Sequence, residues 1–328
     1  MTHWFLSFFY SQWFITPPYP TESWAGKTVI VTGANVGLGL EAARHFAQLG
    51  AAKVIIASRN TQKAETAKKS IEQTTECGPD VVEAWPLDLC SYESVKAFAE
   101  RCNGLPRIDA MVENAGVSTR QFSMAEEDET TITTNVVCTF LLALLVLPKL
   151  RETAKRFNTR PNLVIVSSEV HFVTNFPEHG MTPPGESVFK TLSDPNKARM
   201  SDRYNVSKML EVLVCREIVA TRAPKGYPVT INFLNPGFCH SEIMREMGLR
   251  GRVMKLLLHA RPTEVGSRTL VSAASMGHKS HGEYLSDCEV CPPAKLVRSP
   301  LGKEMQVRVW KDLSEKLERI QPGILDNF

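Results

Sequence analysis

The strongest constraint on the fold is an alternation: short β-branched runs, each followed by a stretch of helical periodicity. Thr28–Thr32, Lys53–Ala57, Val81–Trp85, Ile108–Val112, Asn162–Ser167 and Val229–Phe233 read as strands. Helical patterns fall between them, near Gly37–Leu49, Thr61–Thr75, Ser91–Cys102, Glu129–Arg151 and Asp202–Arg222. The strand runs are apolar at successive positions rather than alternate ones. That pattern suits a sheet covered on both faces, as in a parallel sheet with helices on each side. Right-handed crossovers then give one doubly wound α/β domain with a sheet of about seven strands. Ligands in such folds sit beyond the carboxyl ends of the strands, so the candidate site residues are those directly after each strand.

No repeat, low-complexity stretch or long linker interrupts this alternation. The chain of 328 residues therefore reads as a lead-in over 1–24 and one domain over 25–328, with insertions near 169–203 and 238–262. Its net charge of +3 lacks the basic stripe of a nucleic-acid binder, so no nucleic acid partner is expected. The eight cysteines show no disulfide spacing and point to reduced thiols and a cytoplasmic setting. Cys288 and Cys291 form a CxxC, but no second ligand pair follows, so no metal is expected. The apolar run Val136–Leu147 is too short for a membrane span and reads as a buried helix.

Nine of the 26 aromatic residues lie between Trp4 and Trp24. A helix here places His3, Ser7 and Ser11 on one stripe, with an aromatic body around it. Two readings stay open: a segment packing on its own domain, or peripheral membrane contact through residues 4–15.

After the first strand comes Thr32-Gly33-Ala34-Asn35-Val36-Gly37-Leu38-Gly39, opening a helix. Glycines let backbone approach a pyrophosphate, and the helix start offers free N–H groups and partial positive charge. This is the signature of a Rossmann dinucleotide site. The second strand ends in Ser58-Arg59, where an NAD enzyme carries an acid. An arginine fork suits a 2′-phosphate, so the expected cofactor is NADP(H). Asp88-Leu89 after the third strand is placed to bond adenine, or Asp88 caps the next helix. Asn114-Ala115-Gly116 follows the fourth strand and runs beside the cofactor.

Tyr204 and Lys208 stand four apart in a helical pattern and share one face. A neighbouring ammonium favours phenolate, so Lys208 is expected to lower the Tyr204 pKa towards neutrality and make it a general acid/base. Ser168, just after its strand, offers a hydroxyl to a substrate oxygen. Asn135 lies in the long helix, where its side chain or a locally irregular backbone would hold water. Asn235-Pro236-Gly237-Phe238-Cys239-His240-Ser241 follows the sixth strand and would close over the nicotinamide.

The ordered set TGANVGLG, ENAG, a helical Asn, VSS, YNVSK and NPGFCHS resembles the short-chain dehydrogenase/reductase family over roughly residues 25–290. Within it the chain is most similar to the retinol-dehydrogenase-like branch and its fungal secondary-metabolite members. The resemblance implies that Tyr204 exchanges a proton with the substrate oxygen, Lys208 lowers its pKa and bonds the nicotinamide ribose, and Ser168 orients the substrate. It further implies that Asn135 holds a water linking Lys208 to solvent, that Ser241 bonds the carboxamide, and that a homodimer forms through the helices carrying Asn135 and Tyr204. Three departures stand out: Glu113 in place of an Asn, Cys138 in place of a frequent Gly, and Tyr204 lying 36 positions beyond Ser168.

That long interval contains His171, Phe172, Phe176, His179, Met181 and Phe189 and reads as a substrate lid. Met244, Met247, Met254 and Leu256–Leu258 suit a second, adaptable substrate wall. The expected substrate is a hydrophobic small molecule, a polycyclic, polyketide-like or isoprenoid-like ketone. Two rival readings are a membrane-associated retinoid- or sterol-type dehydrogenase and a non-catalytic NADP(H)-binding regulator.

Overall fold

A computed structural model describes residues 2–241, 243, 248, 255, 256 and 258–328, and side chains from residue 5 onward. Met244, Met247, Met254 and Leu257 lie outside the described residues. An N-terminal helix, α1 (Thr2–Phe14), precedes β1 (Thr28–Thr32), α2 (Gly37–Gln48), β2 (Lys53–Ser58), α3 (Thr61–Thr75), β3 (Val82–Pro86), α4 (Tyr92–Asn103) and β4 (Ala110–Glu113). A small hairpin, β5 (Met124–Ala125) and β6 (Asp128–Glu129), leads into α5 (Thr130–Ile132), a π-turn over Thr133–Cys138 and α6 (Thr139–Phe157). Then follow β7 (Asn162–Val166), α7 (Pro177–Met181), α8 (Val188–Leu192), α9 (Arg203–Thr221) and β8 (Thr230–Asn235). The chain closes with α10 (Thr263–Ser275), β9 (Tyr284–Ser286), β10 (Glu289–Cys291) and α11 (Pro300–Ile320).

The main sheet runs β10-β9-β8-β7-β4-β1-β2-β3, parallel except for β10. It has eight strands rather than about seven, because the CxxC segment folds back as a short edge strand. Asp287 and Cys288, both at positive φ, form the two-residue turn of that hairpin. The spacing of Cys288 and Cys291 thus follows from a tight β-turn of the primed kind. No cluster of metal-ligating side chains occurs among the described residues.

Strands β1, β2, β4, β7 and β8 are buried along almost their whole length, which explains their unbroken apolar runs. One core lies beneath the sheet with α4, α6, α9 and α11, and a second above it with α2, α3 and α10. The helical stretch Thr130–Phe157 is long and apolar enough to cross a membrane, but 89% of its most apolar window is buried within the domain. It is a core helix. Its neighbour α9 is buried on nearly every side as well, because α11 lies along it. Lys303 and Gln306 of α11 both bond Glu217, and Gln306 also accepts from Arg216. That helix packs along α9 within the same chain.

Within the 169–203 insertion, Val170, Met200 and Ser201 line the cleft described below, while the α7–α8 part packs on the core. Phe176, Phe189 and His171 are fully buried in the lower core, and the α7–α8 segment is strapped down by α11. Arg308 donates to the carbonyls of His179, Thr182, Pro183 and Glu186, and Asp312 accepts from the Val188 amide. His171 is a structural bridge: Nδ1 pairs with the Ser168 carbonyl and Nε2 accepts from the Ala294 amide. Burial lowers its pKa to about 4, so the ring is neutral.

Arg203, at the start of α9, is fully buried between Glu129 and Glu178, 3.4 Å from each, and donates to the Leu192 carbonyl at 2.7 Å. It ties the insertion and the hairpin to the helix that follows. Arg203→Ala leaves two buried carboxyl groups without their cation and is expected to cost about 3–5 kcal/mol of stability, read by urea denaturation. An effect below about 1 kcal/mol would show that this network does not anchor the insertion.

Candidate active site

The parallel register brings the ends of β1, β2, β3, β4, β7 and β8 to one edge of the sheet. There they open into a cleft of about 650 Å³. On one side Gly33, with φ of +64°, passes so close to β4 that a Cβ would lie 2.9 Å from Ala115 Cα. Only glycine meets both demands. Val36, which precedes α2, provides no side-chain cap, and α2 has no acid in its first turn. The first amides of α2 are thereby left for an anion in the cleft, which fits a dinucleotide pyrophosphate.

Gly33, Asn35, Gly37, Leu38, Ser58, Arg59, Asp88, Leu89, Asn114, Ser168, Tyr204, Lys208, Pro236, Gly237, Phe238 and Ser241 all line this cleft. Two of the expected residues do not. Gly39 sits beneath it, where a Cβ would meet Asn114 Nδ2 at 2.6 Å; its role is close helix–strand packing. Asn135 is fully buried behind the wall. Its amide donates to Val117 O (2.9 Å) and Ser207 Oγ (3.0 Å), and its Oδ1 accepts from Val117 N (2.8 Å). Through these bonds Asn135 clamps the strand-end loop against α9. The backbone around it is irregular, as the π-turn shows.

Asp88 lines the cleft and does not cap α4. Its Oδ1 accepts from Cys90 N at 2.9 Å, closing the turn, while Ser91 caps the helix. Glu113, the first departure from the usual pattern, is buried and accepts from the Thr32 hydroxyl. Burial drives its carboxyl well above the ordinary range, against a smaller opposing pull from the Thr32 hydrogen bond.

On the opposite wall, α9 presents Tyr204 and Lys208. Lys208 Nζ lies 5.8 Å from the Tyr204 ring centre. It donates to Val166 O at 2.9 Å and Glu211 Oε1 at 2.8 Å, leaving the last of its three N–H groups for the cleft. Burial works against its charge, but Glu211 and Tyr204 hold the ammonium above its ordinary pKa. The expected lowering of the phenol does not hold. Burial pushes Tyr204 up, Lys208 pulls it back, Glu211 pushes up again, and a Ser168 hydrogen bond favours phenolate. The phenol is therefore protonated at neutral pH, a proton donor in waiting.

The cap over the cleft is built from Pro236–Ser241 and, unexpectedly, from α1. Gln12 Nε2 donates to Phe238 O (3.0 Å) and to His259 O (3.2 Å), while its Oε1 accepts from Phe238 N (3.0 Å). Arg261 pairs with Asp287 at 2.7 Å and donates to the carbonyls of Ser11 and Ile15. Gly237, at φ +79°, is wedged between these groups: a Cβ would meet Arg261 Nη1 at 2.6 Å and Gln12 Oε1 at 2.8 Å. The inward stripe of α1 is Phe8, Ser11 and Gln12, not the Ser7 side, which is exposed. Of the residues expected to form a second substrate wall, Leu256 is 80% exposed. The described lining around Tyr204 is instead Val170, Met200, Ser201, Phe238 and Ile243.

The sequence pattern of the short chain dehydrogenase family matches residues 27–177. A short chain dehydrogenase/reductase of Cryptosporiopsis sp. is 48% identical over 326 residues, spanning 98% of this chain and 100% of that protein. A short-chain dehydrogenase of Penicillium roqueforti is 40% identical, spanning 97% of this chain and 84% of its own. The chain belongs to the short-chain dehydrogenase/reductase family. Its fold agrees with that of a short-chain dehydrogenase from Sphingobium yanoikuyae solved with NADPH (TM-score 0.56, 22% identity, covering 77% of this chain and 84% of that one).

As a short-chain dehydrogenase/reductase the protein is an oxidoreductase. Three residues of its site escaped the sequence reading. Lys63 lines the cleft one helical turn after Arg59, a spacing that signals a second cation for the same anion. Glu211 stands three after Lys208 and seven after Tyr204, on the same helical face. Gln12 had no local signal, because its partners lie 226 residues and more away in the chain.

Proposed function

We propose that this dehydrogenase is NADP(H)-dependent and interconverts a carbonyl and an alcohol on a bulky hydrophobic small molecule. We place it in secondary-metabolite biosynthesis, which its fungal relatives support. The observation that carries the reading is the placement of Tyr204 and Lys208 on the wall facing the glycine-rich turn. NADP(H), when bound, would give or take the hydride. The first amides of α2 and the glycine turn would hold its pyrophosphate. Arg59 and Lys63, at the end of β2 with no acid among Ser58, Arg59 and Asn60, favour a 2′-phosphate over a bare ribose. Tyr204 donates its proton to the substrate oxygen in reduction and recovers it in oxidation. Lys208 stabilises the phenolate that forms, and Ser168 orients the substrate oxygen.

A polycyclic, polyketide-like or isoprenoid-like ketone suits a wall of Val170, Met200, Phe238 and Ile243. NADPH oxidation against a panel of such ketones tests the assignment. Tyr204→Phe is expected to lower turnover by about 10²–10⁴-fold while NADPH still binds. Retained turnover in that variant would remove Tyr204 from the chemistry, whereas NADPH binding without turnover in the unmodified chain would leave only the regulator reading. Arg59→Ala and Lys63→Ala are each expected to weaken NADPH binding about tenfold or more and to leave NADH binding unchanged. Equal losses for both cofactors would remove the NADP(H) preference.

A second reading is favoured by one observation on α1. Phe5, Leu6, Phe9, Tyr10, Trp13 and Phe14 are all exposed, on a helix that carries no formal charge from Thr2 to Phe14. We propose a cytoplasmic enzyme making peripheral membrane contact through residues 4–15, which widens the substrate class to lipid-borne retinoid- or sterol-type alcohols. The full-length chain is expected to sediment with phosphatidylcholine vesicles and to lose that binding when Trp13 and Phe14 become Ser. Failure of the unmodified chain to sediment would sink this reading without touching the first.

A further inference from the structure

Glu211 has no part in the proton transfer just described, yet it is the nearest charged neighbour of Lys208. Its side chain is 2% exposed, one oxygen accepts from Lys208 Nζ at 2.8 Å, and the other has no hydrogen-bond partner. The titratable groups facing it are Lys208, Tyr204 and Cys215, all on its own helix. Just beyond β7, beside Glu211, stands the uncharged Ser167, whose hydroxyl donates to Lys208 O at 2.9 Å. A buried carboxylate beside a buried ammonium weakens the field that the ammonium exerts farther away. Here the farther group is the Tyr204 phenol.

We propose that Glu211 is a positioning residue: it holds Lys208 in place and screens its charge from Tyr204, keeping the phenol protonated and so extending reduction to higher pH. This rests on the oxidoreductase reading and adds to it a bias in proton supply. In reduction the phenol O–H bond breaks, its proton joins the carbonyl oxygen, and a hydride from NADPH completes the alcohol. A phenol that ionises early cannot begin that step. With Glu211 charged, the phenol holds its proton; with Glu211 neutral, Lys208 acts on it unopposed. Burial, set against the pull of Lys208, raises the Glu211 carboxyl to about 7, so the screening strengthens as pH rises through neutrality, where a proton donor most needs it.

The experiment compares the wild type, Glu211→Gln, Glu211→Asp and Tyr204→Phe. Phenolate absorbance near 295 nm, taken as the difference from Tyr204→Phe, reports this one tyrosine without any substrate. In Glu211→Gln its titration is expected to move down by about one pH unit or more. The alkaline limb of NADPH-dependent reduction of 9,10-phenanthrenequinone should move down with it. Glu211→Asp keeps the charge and is expected to return both midpoints towards the wild type, and it carries the comparison if the amide variant does not fold. An unchanged phenolate midpoint in Glu211→Gln, with Tyr204→Phe inactive, overturns the role of Glu211 and leaves the oxidoreductase reading standing. Full activity of Tyr204→Phe overturns both.

Discussion

Holding a protonated amine inside a protein is expensive, and the structure around α9 is arranged to meet that cost. An isolated buried ammonium would lose its proton or unfold its surroundings. Lys208 keeps it because a strand carbonyl and a carboxylate each accept one of its hydrogen bonds. Those partners are fixed by packing: α9 is enclosed by the sheet, by the π-turn at Thr133–Cys138 and by α11, so neither the lysine nor the glutamate has another place to go. The sheet register then sets what faces the remaining N–H. Because β1, β4, β7 and β8 end at one level, the glycine turn, the strand-end loop and the cap surround the same cleft.

The enclosure of α9 also explains the long interval between Ser168 and Tyr204. The extra residues build two short helices whose aromatic side chains extend the core beneath the site. Arg203 joins them to the catalytic helix one residue before Tyr204. Movement of this segment would pull on the phenol directly. The substrate side is shared by Val170 and Met200 of this segment and by the cap, whose conformation is held from outside by α1 through Gln12 and Arg261. Polar side chains face the domain and aromatic ones face outward, the reverse of an ordinary surface helix.

Much of this was legible in the sequence, for a common reason. Parallel strands buried on both faces leave unbroken apolar runs, so the strands and the level of the site could be read from Val29–Thr32 or Leu163–Val166 without contacts. Gly33 and the Tyr204/Lys208 pair are local signals, set by backbone geometry and helical spacing. The errors share a cause too. The side-chain partners of Asn135, Val117 and Ser207, lie 18 and 72 residues away and leave no local pattern. Phe176 and Phe189 look like lid residues in a polar loop, but a helix more than a hundred residues later buries them. What sequence spacing cannot display is which face a distant element will cover.

The pKa of Tyr204 shows the same lesson at the level of charge. A Tyr/Lys pair at i, i+4 suggests a phenol lowered by its neighbour, and the sign of that pair term is right. Burial of the ring and the third member of the helical face, Glu211, reverse the net outcome. A two-residue motif therefore fixes the participants, whereas the protonation state at rest depends on the next charge along the face and on how dry the surroundings are. Since an anion beside Lys208 stabilises the ammonium while opposing ionisation of the phenol, one side chain serves both ends of the proton path. The site keeps its cation and its acid together only as long as Glu211 stays between solvent-free packing and Lys208.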